Sequence, residues 1–158
     1  MSCLGVHFAL DAADQKKILG AASDAALLEV IQEDIEQRLD EDEFSFQTDK
    51  AWDAIHRCLT NGKLEYGPGG PPLSYCILGG RRLYSGGDYI VCYVDPEQVA
   101  RCAEVLPSIS REELRRRYFA LNSRECGYPL SDEDFEYTWS NFEGLPAFFE
   151  LAAKAGRP

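Results

Sequence analysis

Near the N-terminus Leu4, Val6, Phe8 and Leu10 alternate with Cys3, Gly5, His7 and Ala9, a period of two that predicts a β-strand. The second set is only weakly polar, so the strand is expected to be central or covered on both faces. Asp11 or Asp14 can cap a short helix running to Gly20, and Ser23 or Asp24 a longer one in which Leu27, Ile31, Ile35 and Leu39 make one apolar stripe. The opposite face carries Glu29, Glu33 and Glu36. The run Asp40-Glu41-Asp42-Glu43 follows where a helix C-terminus disfavours negative charge, so this helix is expected to end near Leu39. Thr48 and Asp49 are suitable N-caps for a third helix, whose Trp52, Ile55, His56 and Leu59 share one inward face before Asn61-Gly62 stops it. The stretch 62–72, GKLEYGPGGPP, is too rich in Gly and Pro for a regular element and reads as a surface loop.

Beyond that loop, Leu73 to Leu78 could be a strand, but the flanking Pro71-Pro72 and Gly79-Gly80 favour a short helix. Arg81–Tyr84 and Tyr89–Val94 flank Ser85-Gly86-Gly87-Asp88, whose Gly-Gly centre tolerates the positive φ of a tight turn, so a β-hairpin is predicted. Asp95-Pro96-Glu97-Gln98 starts a helix with Val99, Cys102, Ala103 and Leu106 inward, ended by Pro107. Ser110 to Glu113 reads as a second capping box, leading to Leu114, Tyr118 and Leu121 with Glu112/Arg116 and Glu113/Arg117 as exposed pairs. After the Gly127-Tyr128-Pro129 turn, Ser131 or Asp132 caps a helix with Phe135, Trp139 and Phe142 inward; Gly144 and Pro146 interrupt it before Phe148 to Ala155. The expected architecture is α+β: a single helix-rich domain over 1–158, with a small sheet made of the N-terminal strand and the hairpin near 81–94.

Composition narrows the function. A length of 158 residues with 45% hydrophobic side chains suits one buried core, and 16 Lys+Arg against 27 Asp+Glu give a net charge of −11. Such an acidic chain has no general affinity for nucleic acid or anionic membranes. No apolar run approaches a membrane span, and the first basic residue is Lys16, so a cytoplasmic location is expected. The six cysteines are scattered, never spaced C-x-x-C and accompanied by two histidines; they are expected to be buried structural thiols in a reducing compartment, with neither metal nor cofactor.

Several segments together resemble the YfbM-like family of bacterial proteins of unknown function. They are Leu4-Gly5-Val6, Asp49-Lys50-Ala51-Trp52 followed by His56 and Leu59, and Pro72-Leu73 leading to Ile77-Leu78-Gly79-Gly80. Ile109-Ser110 before Glu113-Leu114, Tyr128-Pro129, and Asn141-Phe142 before Phe148-Phe149 extend the likeness over nearly the whole chain. The resemblance implies one α+β domain and no established activity. Members of that family continue past the last helix into a short apolar strand, whereas this sequence stops at Gly156-Arg157-Pro158. A sheet edge without that strand needs another cover, and an uncovered edge is a route to a homo-oligomer.

Candidate chemistry centres on His56, which shares its helical face with Trp52; a satisfied core imidazole is the plainer reading, a ligand contact or general acid/base the sharper one. Asp53 could orient it, and His7 could meet it across the sheet. A Cys-His pair would draw on Cys58 or Cys76, but Cys58, two residues from His56, points elsewhere on the helix. Gly67 to Gly70 lacks the Gly-Lys-Ser/Thr of a phosphate loop, and Asp40 to Glu43 is no calcium loop, because Phe44 replaces an oxygen ligand and the Gly and distal Glu are missing. Gly79-Gly80-Arg81-Arg82 could hold an anion, or could be a helix stop followed by an exposed strand. Glu29, Glu33, Asp34 and Glu36 with residues 40–43 form an acidic lobe, and Arg111, Arg115, Arg116 and Arg117 a basic one. The leading reading is a non-catalytic domain that binds a protein or a small ligand, with Trp52, His56, Gly79, Gly80, Arg81 and Arg82 as contacts. Two alternatives stand beside it: a small enzyme using His56 with Asp53, and an immunity-type inhibitor binding through its acidic lobe.

Overall fold

Two apolar clusters organise the chain, and the N-terminal strand contributes to both. A computed structural model describes residues 3–67 and 69–158; Pro68, in the Gly/Pro-rich stretch, lies outside the described residues. Strand β1 (Gly5–Phe8) places Ala9, just beyond it, in the larger cluster with Ile55, Cys102, Leu106, Leu114, Tyr118, Phe135 and Phe142. Phe8 and Leu10 pack instead on the smaller cluster of Ile18, Leu27, Ile31, Ile35 and Tyr84. The period-two alternation is what divides the strand's side chains between the two.

β1 pairs antiparallel with β2 (Ser45–Asp49), with His7 opposite Phe46 and Phe8 opposite Ser45, and Ala9 N–H extends the ladder to the Phe44 carbonyl at 2.9 Å. This second strand corrects the sequence reading, in which Thr48 and Asp49 were helix caps. Thr48 is fully buried, its hydroxyl donating to the Gly5 carbonyl at 3.3 Å, and Asp49 turns the chain at φ 46°. Helix α3 (Trp52–Leu59) accordingly begins after Ala51 without a side-chain cap.

The caps Asp11 on α1 (Ala12–Leu19) and Ser23 on α2 (Asp24–Val30) are as the sequence predicts. α2 runs on through a π turn, Ile31–Ile35, in which Glu36 N–H reaches the Ile31 carbonyl five residues back, and then a 3₁₀ turn, Glu36–Arg38. The helical run therefore does end at Leu39, but its widened turn keeps both Ile31 and Ile35 inward.

The predicted short helix after Pro72 is a single 3₁₀ turn, Leu73–Tyr75. The hairpin follows as β3 (Arg81–Arg82) and β4 (Cys92–Tyr93), extended by Leu83 N–H to the Val91 carbonyl at 2.9 Å. Its Gly-Gly tip does not supply the expected positive φ; Gly86 is instead required by space, because a Cβ there would overlap the Tyr84 ring.

α4 (Pro96–Val105) carries the full Asp95/Gln98 capping box. α5 (Arg111–Phe119) has only half of the predicted box: Ser110 caps Glu113 N–H, while the Glu113 carboxylate binds both Arg116 and Arg117, leaving Glu112 out of the pairing. The turn α6 (Ser123–Cys126) leads to α7 (Asp132–Phe142) and α8 (Leu145–Lys154), which with α4 closes the larger cluster. Among the described residues no helix is long and apolar enough to cross a membrane.

Candidate functional site

Antiparallel pairing directs the backbone groups of alternate residues to opposite sides of a strand. Ala9 turns its amide to β2, so Val6, Phe8 and Leu10 turn theirs away from it. On that second edge the Pro158 carbonyl accepts from Leu10 N–H at 3.0 Å, and among the described residues no strand pairs there. The hairpin presents a matching edge: Val91 bonds back to Leu83, so Ile90, Cys92 and Val94 turn their backbone groups the other way.

A cavity of about 780 Å³ separates these two edges. Its lining takes in every residue from Cys3 to Leu10 along one side and from Asp88 to Val94 along the other, with Pro158 also in its wall. Phe148 and Ala152 come from the larger cluster and Ile18, Ile31 and Ile35 from the smaller, and Trp52 on α3 also borders the space. Polar ties to the helices hold the hairpin at this distance. Gln15 Nε2 donates to the Tyr93 hydroxyl at 2.7 Å, the Tyr89 hydroxyl meets the Glu36 carboxylate at 3.1 Å, and the Ser85 hydroxyl binds the Asp24 carboxylate.

His7 is the one imidazole on the described lining. With Thr48 donating to Gly5, the Thr48 oxygen accepts from His7 Nε2–H at 3.1 Å, which fixes the tautomer. The ring lies between Phe46 and Phe148, 6.4 Å from each, and burial lowers its pKa to about 4, so it is neutral at pH 7. The carboxylates on the described lining are already engaged, while of its thiols Cys3 is exposed. Glu36 accepts from Tyr89, Asp88 from Tyr84, and burial pushes the Cys92 thiol up to about 11. The cavity thus offers apolar walls and two rows of main-chain donors and acceptors, without an assembled acid/base pair.

Of the contacts proposed from sequence, only Trp52 borders this cavity. Its half-buried indole N–H donates to the Cys3 carbonyl at 2.9 Å, and Gly5 makes room for it, since a Cβ there would come within 2.6 Å of Trp52 Cβ. His56 is buried on the same helix but donates Nε2–H to the Glu65 carbonyl at 2.9 Å, and burial lowers its pKa. Asp53 does not orient it: the Asp53 carboxylate is taken by Arg57. Nor do the histidines meet in a hydrogen bond, since His7 binds Thr48. Arg82 stacks on Tyr66 at 4.5 Å, so His56 and Arg82 both grip the 62–72 loop instead of framing a cleft. Arg81 is exposed beside Tyr93.

Gly79 and Gly80 are steric necessities. A Cβ on Gly79 would overlap the Ser74 backbone, and Gly80 combines φ +70° with backbone contact to Tyr93. The expected basic lobe is neutralised, Arg111 by Glu136, Arg115 by Asp132, and Arg116 and Arg117 by Glu113. In the acidic lobe Asp34 pairs with Lys17. Burial pushes Cys58 up to about 12, so it is a poor nucleophile beside His56. Among the described residues no cluster of His, Cys, Asp and Glu is placed to hold a metal ion.

Residues 1–158 match the family model described as a domain of unknown function (DUF1877). No curated protein matches. Among solved structures, the protein of unknown function YfbM from Escherichia coli shares the fold, with a TM-score of 0.69 at 20% sequence identity, covering 98% of this chain and 96% of that one.

Proposed function

The chain belongs to the DUF1877 family, and we propose that it is a non-catalytic binding domain whose ligand occupies the cavity between β1 and the hairpin. The observation that carries this reading is the cavity itself, which at about 780 Å³ falls within the range of sites that enclose a specific ligand. Apolar side chains from both clusters supply its walls, and the imidazole and carboxylates there are held in structural hydrogen bonds. A cytoplasmic setting is in keeping with six free cysteines.

The test uses two apolar probes, dodecanoate and a synthetic peptide of six alternating valines and isoleucines flanked by lysines. Trp52 borders the cavity and reports binding by fluorescence, with Trp52→Phe identifying its share of the signal against Trp139. Ala152 lies in the wall, so Ala152→Phe should fill the space and weaken whichever probe binds by at least tenfold. Failure of both probes to bind the native chain, or equal binding by the filled variant, would overturn the reading.

A further inference from the structure

We propose that Cys76 and Cys102 are a thiol/disulfide switch, which hydrogen peroxide closes into a bridge fastening the turn after the 62–72 loop to α4. The switch concerns the chain's oxidation state and stands independently of the binding reading above.

The 3₁₀ turn Leu73–Tyr75 packs on α4, and its bonding brings the two thiols side by side. Cys76 N–H closes the turn on the Leu73 carbonyl at 3.2 Å, and Cys102 Sγ donates to the carbonyl of Pro72, at the start of the turn, at 3.3 Å. Cys76 Sγ lies against Cys102 Sγ, and both residues are buried in the larger cluster. Closing a bridge here leaves no buried polar group without a partner. The Cys102 S–H is lost, but the Pro72 carbonyl keeps Tyr75 N–H at 2.9 Å. The product is also neutral, as an apolar core requires, whereas a dithiolate holding a monovalent metal ion would bury a net charge.

The chemistry is a two-electron oxidation. The neighbouring Cys102 thiol and burial hold the Cys76 thiol well above the usual thiol range, so Cys76 is protonated and inert while the turn is closed. Reaction begins when the turn lifts and Cys76 ionises in water. Its thiolate attacks the O–O bond of hydrogen peroxide, giving Cys76 sulfenic acid and a hydroxide that takes up the released proton. The Cys102 sulfur then attacks the sulfenic sulfur, the S–O bond breaks, and water leaves with the Cys102 proton. Two thiols and one peroxide thus become one disulfide and two waters. The turn is the element placed to lift, because it is a single 3₁₀ turn beside a Gly/Pro-rich loop, while Cys102 sits within a helix started by a full capping box. The closed bridge restricts the unfolded chain between positions 76 and 102. It also steadies the 62–72 loop, whose Gly67 N–H is bonded to the Leu78 carbonyl at 3.0 Å.

The experiment treats the folded full chain carrying Cys3→Ser with hydrogen peroxide, the substitution keeping an exposed thiol from linking two molecules. Non-reducing peptide mapping should find Cys76 joined to Cys102, with the intact mass lower by two hydrogens and restored by dithiothreitol. The thermal midpoint should rise by about 5 °C or more and fall back on reduction. Amide exchange should slow about threefold or more at Gly67, Tyr75 and Cys76 and stay unchanged at Glu125, in the separate turn α6. Adding Cys76→Ala should abolish the bridge and the rise in midpoint; if that variant does not fold, the map of its parent decides alone. Cys76 and Cys102 still alkylatable after peroxide treatment, or a Cys58–Cys126 bridge in their place, would overturn the switch. A Cys76–Cys102 bridge that leaves both midpoint and exchange unchanged would overturn it equally, and the pair would be core filling.

Discussion

His7 makes stability depend on pH in a way that can be worked out from its surroundings. The folded ring titrates at about 4 because burial disfavours its charged form, against 6.5 for an unperturbed histidine. The folded-state pKa is depressed, so between these values the unfolded chain binds more protons, and stability is lost as pH falls through the window. Proton linkage puts the loss relative to neutral pH at about 2 kcal/mol by pH 5 and about 3 kcal/mol by pH 4. The perturbation is His7→Gln, which keeps a donor for Thr48 Oγ1 but does not titrate. Urea titrations of both proteins from pH 7.5 to pH 4.5 should show the native chain losing stability faster. Carboxylates and His56 contribute equally to both proteins, so the difference between the curves isolates His7. Parallel curves over that range would refute the burial argument and mean that His7 is as well hydrated folded as unfolded.

Three further outcomes follow from the packing. Gly80→Ala should cost about 2 kcal/mol or more in denaturant titration, because φ +70° is strained for alanine and its Cβ would overlap the Tyr93 carbonyl. Trp52→Ala should cost about 2–3 kcal/mol in the same assay, less than for a fully buried indole, since Trp52 is half-buried and borders the cavity. Asp95→Ala should cost about 1 kcal/mol, read as a lower thermal midpoint, because it removes one side of a reciprocal capping box.

Local chemistry was legible in the sequence where one residue's role is settled within a turn of helix. Asp11, Ser23, Asp95, Ser110 and Ser131 all cap the helices their positions suggest. β2 was not legible because nothing within Ser45–Asp49 identifies it as a strand. Phe46 is its lone large apolar side chain, and its most buried residue, Thr48, is polar and satisfied by Gly5 and His7, some forty positions earlier. Of the face read as inward on α3, Ile55, His56 and Leu59 are buried, while Trp52 is only half-buried. Pattern alone could not say that His56 spends its hydrogen bond on the Glu65 carbonyl, which is set by where a Gly/Pro-rich loop returns.

The site was legible in one half only. Two apolar sets alternating from Cys3 to Leu10 indicate a strand covered on both faces, and the structure covers it from both clusters. The opposite edge comes from the hairpin, and what holds it away from β1 is non-local: Gln15 to Tyr93, Asp24 to Ser85 and Glu36 to Tyr89. These ties are unremarkable polar pairs in sequence. The cavity of about 780 Å³ is open to solvent, so water fills it when no ligand does. Displacing that water from the apolar walls favours an occupant by about 25 cal/mol per Å² buried. On the proposed binding reading these polar ties keep the slot open, and loosening them should let the two edges approach and weaken probe binding.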